Sequence, residues 1–582
     1  MRNGVQRSLF GRRQPDCSAA VSAVPSGVVA VPAHGERGTY EWHSRPQHPA
    51  PQGDFVITPG PSARRASALG LALAACLGAA PAATATAPPA SSRSGAGLDR
   101  YYDQLLGWGS CSKGPEDTMG RDLDKAGVQC VDVTVPLDYS KPRGRTITVA
   151  ISRLKATDTR HRIGSILLNN GGPGNTALQS PPEFHAWMKK TGPRYDIVGF
   201  DPRFVGRSTP LDCGWPVGTN LFSAGLGRAS FERQVALHKD LAAKCRTTNA
   251  DVLPHVTTRN TARDMDVIRG ALGEKKISYF GYSYGTYLGT VYTQMFPGRT
   301  DRMVLDGAID PREFGPRLLR EAVGENEQAL ADWATWAARR HDTYGLGRTR
   351  AQVLATVDRV IRQAARGPLT VGTAPDTFRL DDTQVPFVLL AGLDSDTDTS
   401  RASLGEQVSV LNKAAAGQST KLSPQFAGLL RFATTGDQSH MGSAQTAVIC
   451  GDVAAPRDPE VYWRDIQRSR AAYPRFGAMN NNIGPCAFWD LPREQPTRVK
   501  HDAEALIVSA TGDPRTTHKG AVALHGLLPS SRLITVEGAN RHAVYGLYEN
   551  ACVDTKVNRY LATGKLPADD RTCSKRAGLQ PR

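Results

Sequence analysis

Three residues, each placed where a short apolar run gives way to turn residues, could together carry out acyl transfer: Ser283, Asp513 and His542. Ser283 is the centre of Gly281-Tyr282-Ser283-Tyr284-Gly285. In a Gly-x-Ser-x-Gly pattern a strand ends, the chain turns sharply and a helix begins, so the serine hydroxyl stands exposed near the helix N-terminus. The pattern alone is weak, because glycine is frequent in this chain. Its surroundings strengthen it, since 276–280 read as a strand and 286–296 as a helix. A serine hydroxyl needs a base, and the base needs an orienting acid. The run 505–509 leads into Thr511-Gly512-Asp513-Pro514, and the run 533–536 leads into Glu537-Gly538-Ala539-Asn540-Arg541-His542. The order Ser, Asp, His is that of an α/β hydrolase. The plainer reading of Asp513 is a turn or capping residue. His501 precedes the penultimate strand, and His518 and His525 fall in the helix after it, so none of the three suits the base.

An oxyanion requires backbone N–H donors. Tyr284, directly after the serine, offers one. The second is expected from Asn169-Asn170-Gly171-Gly172-Pro173-Gly174, which follows the run 166–168, with Gly172 the best single donor. A Gly-rich loop after a strand can instead hold phosphate. This one lacks the Lys-Ser/Thr of a P-loop and the spacing of a dinucleotide fingerprint.

The elements that position these residues are legible as alternation. Residues 131–135 and 146–154 read as an opening antiparallel pair. Short apolar runs follow at 166–168, 197–200, 277–280 and 303–305, several separated by helical patterns such as 261–272. That alternation predicts a mostly parallel sheet with helices on both faces, the α/β-hydrolase fold. Residues 311–500 carry helical patterns, among them 318–339 and 351–365, and are expected to form an inserted, mainly helical cap. The core is then 96–310 together with 501–582. Within the insertion, Asp394-Ser395-Asp396-Thr397-Asp398 resembles the start of a calcium loop, but Thr399 stands where the turn glycine belongs and Gly405 where the bidentate Glu belongs. No metal site is expected there, and no cofactor is needed.

The formal charge is +16 over 582 residues. Nine Arg against four acidic residues lie in 1–95, which leaves about +11 spread along the remainder without a basic run. A solvated basic surface is the better reading of this, and no nucleic-acid partner is expected. Residues 1–95 read as a leader. Its first 62 are rich in Pro, Gly, Ala and Arg and unsuited to packing. At 63–87 an Arg pair, an Ala/Leu-rich run and a small-residue zone have the three parts of a secretory signal. A signal placed so far in suggests an internal start near Val56. The apolar run is too short for a stable membrane span. Leu73-Ala74-Ala75-Cys76 also resembles a lipobox, so release and lipid anchoring through Cys76 stay open, with release favoured. Eight cysteines remain after the leader, an even number that suits disulfides in an oxidising compartment. The short separations of neighbours suggest sequential pairing.

The chain resembles the secreted tripeptidyl aminopeptidases of actinomycetes and their proline-iminopeptidase-like relatives. The resemblance rests on 169–174, Asp201-Pro202-Arg203 with Gly206-Arg207-Ser208, 281–297, Val304-Leu305-Asp306-Gly307, 505–513 and Cys450-Gly451-Asp452 through Cys486 to Cys573. It implies a serine exopeptidase acting on peptide or protein N-termini, whose cap carboxylates hold the free amine; a monomer is expected, although the sequence does not give the oligomeric state. Glu321, Glu325 and Glu327 are the candidates, and each has the plainer reading of a solvated helix face. Two departures from the family pattern stand out. Phe204 replaces a glycine, and Asn175-Thr176-Ala177 replaces a Gly/Ser-rich stretch. The rival readings are an esterase or amidase using the same triad, and a non-catalytic binding protein on a hydrolase scaffold.

Overall fold

A computed structural model describes residues 97–575. The leader, the 63–87 segment and Cys76 lie outside the described residues. The strands are β1 Gln129–Pro136, β2 Thr146–Leu154, β3 Gly164–Asn169, β4 Tyr195–Phe200, β5 Ile277–Tyr282, β6 Thr300–Asp306, β7 Leu369–Thr373, β8 Asp376–Leu380, β9 Leu506–Ala510, β10 Arg532–Glu537 and β11 Arg571–Ser574. Nine of them form one sheet in the order β1-β2-β4-β3-β5-β6-β9-β10-β11. The β1–β2 and β2–β4 pairs are antiparallel, and every pair from β4–β3 onward is parallel. This is the α/β-hydrolase sheet, and the opening antiparallel pair falls where the sequence placed it.

Central strands are buried on both faces, and their side chains divide with period two. Leu167, Val198, Tyr279, Leu305 and Ile507 point into one core, which the helix Tyr284–Met295 also lines. Ile166, Leu168, Ile197, Phe280, Val304 and Leu506 point into the other, with the helices Pro181–Met188 and Ala551–Thr563. The register then matters for chemistry. Asn169 lies opposite Gly281, Tyr282 opposite Asp306, Asp306 opposite Val508, and Val536 opposite Ala510. Five parallel strands therefore end side by side, and the loops leaving them meet at one carboxyl edge, where α/β sheets build their sites.

Strands β6 and β9 are neighbours in the sheet, although residues 307–505 separate them in sequence. That connection carries helices such as Val323–Ala338, Arg350–Arg366, Asp398–Ala415 and Ser439–Asp452. It also contains the antiparallel hairpin β7–β8, which the helical patterns did not predict. The four disulfides join Cys111 to Cys130, Cys213 to Cys245, Cys450 to Cys486 and Cys552 to Cys573, the sequential pairing expected. Among the described residues no helix is long and apolar enough to cross a membrane.

Candidate active site

Ser283 sits between β5 and the helix Tyr284–Met295 with φ 54° and ψ −120°, a region that L-residues seldom occupy. Two things hold it there. Its N–H donates to the carbonyl of Asp306 at the end of β6, at 2.9 Å. Gly171 also presses against the turn, so closely that a Cβ on it would lie 2.6 Å from the Tyr282 carbonyl oxygen and 3.0 Å from Ser283 Cβ. Only glycine lets the two loops approach to this distance. The hydroxyl-bearing turn is thus clamped between the loop after β3 and the end of β6, and Ser283 stays partly exposed.

The Tyr284 N–H opens the helix and has no backbone partner among the described residues. In the Gly-rich loop the Gly171 N–H is taken by Asn169 Oδ1 at 3.0 Å, and Pro173 has none to give. Gly172, with φ +100°, has an N–H without a hydrogen-bond partner among the described residues. Tyr284 is itself tied down on its far side. Its hydroxyl pairs with Thr258 Oγ1 at 2.7 Å, and Thr258 donates its N–H to the buried Asp452 carboxylate at 2.8 Å and its hydroxyl to the other oxygen. Burial pushes that carboxyl up to about 7 against the pull of these bonds.

Asp513, fully buried in the turn after β9, is held by four donors. The N–H groups of Arg515 and Thr516 reach Oδ1 at 2.8 and 3.0 Å, the Thr516 hydroxyl reaches Oδ2 at 3.0 Å, and His542 Nδ1 stands 3.0 Å from Oδ2. Burial alone would weaken the hold of the imidazole on a proton. The charge of Asp513 and its hydrogen bond outweigh that and raise the His542 pKa above the ordinary histidine value. Nε2 makes no hydrogen bond among the described residues, and the ring lies against Gly307, 3.3 Å from where a Cβ there would be. Ser283, Asp513 and His542 therefore converge on the end of β6. The rival histidines are elsewhere: His525 pairs with Ser531 and Asp570, His518 with Ser509, and His501 is exposed ahead of β9.

Two supports were not expected. Asp306, fully buried, accepts the N–H groups of Val544 and Tyr545 on its carboxylate, and burial raises its pKa to about 7. Residues 394–396 of the acidic run lie against the loop that carries His542, whereas Asp398 opens the helix Asp398–Ala415 and accepts the Trp336 indole N–H.

The cap glutamates part company. Glu327 accepts the N–H groups of Arg475 and Phe476 at 2.6 and 2.9 Å and pairs with the Arg475 guanidinium, so it anchors a turn. Glu321 faces Lys519 at 3.5 Å. Glu325, in the first turn of Val323–Ala338, pairs with no cation among the described residues; burial raises its pKa, and the charges of Asp513 and Glu321 add to the rise. Phe204, the departure from a family glycine, is buried with φ +67°, the left-handed region where glycine is at ease.

A nine-stranded, mostly parallel sheet with a strained serine elbow at its carboxyl edge defines an α/β hydrolase. Residues 473–573 match the family model described as TAP-like protein. The chain is 36% identical over 471 residues to a tripeptidyl aminopeptidase of Streptomyces lividans, an overlap that spans 78% of this chain and 85% of that one. It is 30% identical over 471 residues to the serine protease Hip1 of Mycobacterium tuberculosis, spanning 77% and 87% of the two chains. It is also 30% identical over 495 residues to a Mycobacterium tuberculosis protein named carboxylesterase B, spanning 80% and 89%. The chain belongs to the tripeptidyl aminopeptidase family of α/β hydrolases. It is a serine hydrolase of the peptidase type.

Proposed function

We propose that the protein is a secreted exopeptidase that releases short peptides, tripeptides foremost, from the N-termini of its substrates through Ser283, His542 and Asp513. The observation that carries this reading is the convergence of the strained Ser283 turn, the Asp513–His542 pair and two free N–H groups on one sheet edge.

His542 Nε2 accepts the Ser283 proton as Oγ attacks the scissile carbonyl carbon. Asp513 fixes the tautomer by holding Nδ1–H and stabilises the imidazolium that forms. The N–H groups of Tyr284 and Gly172 receive the oxyanion. The imidazolium then protonates the leaving amine, the acyl-enzyme remains, and water activated by the same imidazole releases the peptide acid. Residues 311–500 act as a cap. Within it, Glu325 and Glu321 supply negative charge for the substrate ammonium, a fixed number of residues from the bond cut. Glu327, committed to Arg475, takes no part. The four disulfides suit an oxidising compartment.

Hydrolysis of Ala-Pro-Ala-p-nitroanilide tests this, beside its N-acetylated form, a prolyl anilide and a p-nitrophenyl ester. Cleavage of the free tripeptide anilide alone, abolished by Ser283→Ala, is the expected result. The relative named carboxylesterase B motivates the rival outcome. Ester turnover that needs Ser283, with no peptide cleaved, would sink the exopeptidase reading.

A further inference from the structure

The acidic segment 394–396 of the long β6–β9 connection grips both turns that carry the acid and the base. Asp394 does so from its two ends. Its carbonyl accepts the His542 N–H at 2.9 Å, and its carboxylate accepts Arg515 Nε at 2.5 Å. The Arg515 N–H in turn donates to Asp513 Oδ1. Ser395 pairs with Arg541 as an isolated antiparallel bridge, one residue before the histidine. Asp396, 6% exposed, accepts the Asn540 N–H at 3.0 Å, the Tyr548 hydroxyl at 2.6 Å and the Lys575 ammonium. The histidine loop needs such outside support. Ala543, next after His542, has φ +61°, a conformation that persists only where surrounding contacts impose it.

We propose that Asp394 and Asp396 are positioning residues for catalysis: this strap, which belongs to the insertion and not to the sheet, sets the distance and angle between His542 and Asp513. The proposal rests on the reading of Ser283, His542 and Asp513 as a triad. A metal role for the segment does not fit, because the carboxylates of Asp394 and Asp396 are already occupied by Arg515 and Lys575.

The charges that face His542 make the proposal measurable. They are Asp513 and Arg515 from the turn after β9, Asp394 from the strap, and Asp306 from the end of β6. Asp394→Asn keeps an acceptor for Arg515 but removes a negative charge and leaves the guanidinium unbalanced. Both changes loosen the proton on the imidazole.

The test is the pH profile of kcat and kcat/KM for Asp394→Asn on the substrate that the wild-type enzyme turns over, with Ser283→Ala and His542→Ala run beside it. The expected result is an acid limb moved to lower pH by about half a unit or more, a kcat lowered roughly tenfold, and a KM little changed. Arg515→Gln removes the cation instead. Its acid limb should move to higher pH while kcat also falls, a pair of opposite shifts that a purely structural role would not produce. Asp376→Asn, which breaks an ion pair with Arg431 at β8, should leave the profile in place. An unmoved limb and a kcat within twofold of wild type in a folded Asp394→Asn overturn the strap, as does an Arg515→Gln limb that moves to lower pH. Should Asp394→Asn not fold, Arg515→Gln decides by itself. If Ser283→Ala or His542→Ala stays active, the triad reading fails instead, whatever Asp394 does.

Discussion

Asp306 accepts the Tyr545 N–H on its carboxylate at 2.7 Å, while its own carbonyl accepts the Ser283 N–H at 2.9 Å. One buried residue at the end of β6 thus ties the Ser283 turn to the chain just beyond His542. Loss of the carboxylate in Asp306→Ala leaves two buried N–H groups, of Val544 and Tyr545, without an acceptor. Each such loss costs about 1–3 kcal/mol. Urea unfolding should show a destabilisation of roughly 2–6 kcal/mol, with kcat reduced at temperatures where the variant is folded. Asp306→Asn, which retains one oxygen, should fall between the two. Wild-type stability and kcat in the alanine variant would refute the bridge.

The pH dependence of activity has a definite sign. In the proposed mechanism His542 must be neutral to accept the Ser283 proton, and the Asp513 charge and hydrogen bond, working against burial, raise the His542 pKa. The acid limb of kcat/KM should therefore lie above the ordinary histidine value of about 6.5. Asp513→Asn should move it down while kcat drops by roughly 10³–10⁴. Stability runs the other way. A histidine whose folded pKa is raised stabilises the fold fully below about pH 6.5, and that contribution is lost as pH rises through the folded value. Thermal unfolding between pH 5 and 8 should show the His542–Asp513 contribution shrinking as activity grows. A limb below the ordinary histidine value would contradict the assignment.

Phe204 sets strain against packing. Glycine at this position would relieve the left-handed φ, a gain of about 1–2 kcal/mol. It would also empty the space of a side chain only 2% exposed, and such a loss costs about 3–5 kcal/mol for an aromatic. Packing wins, so Phe204→Gly should destabilise by roughly 1–4 kcal/mol in urea. A neutral or stabilised variant would mean that the cavity collapses around the missing ring.

Much of the molecule could be read from residue order. β3 to β6, β9 and β10 are apolar runs that stop where turn residues start, and Ser283, Asp513 and His542 each follow such a stop. β11 escaped because only Cys573 of its four residues is buried, so no apolar run marks it. β7 and β8 alternate over only five residues each amid helical patterns. The supports of the site escaped for another reason. Arg515 meets Asp394 across 121 residues and Asn540 meets Asp396 across 144, and no local spacing encodes such pairings. Glu327 looked no different from Glu325 until Arg475, 148 residues on, claimed it.

The adjacency of β6 and β9 also bears on how the chain is made. Until residues 506–510 are synthesised, β6 is the raw edge of a parallel sheet whose N–H and C=O groups have no partners. The nascent polypeptide must carry that sticky edge, and a serine turn without its histidine, through the whole of the insertion. On the proposed triad, proteolytic capacity therefore arrives late and all at once, with the last strands. A product halted within the insertion would be an inert, aggregation-prone fragment, and the cell would never meet a half-built peptidase.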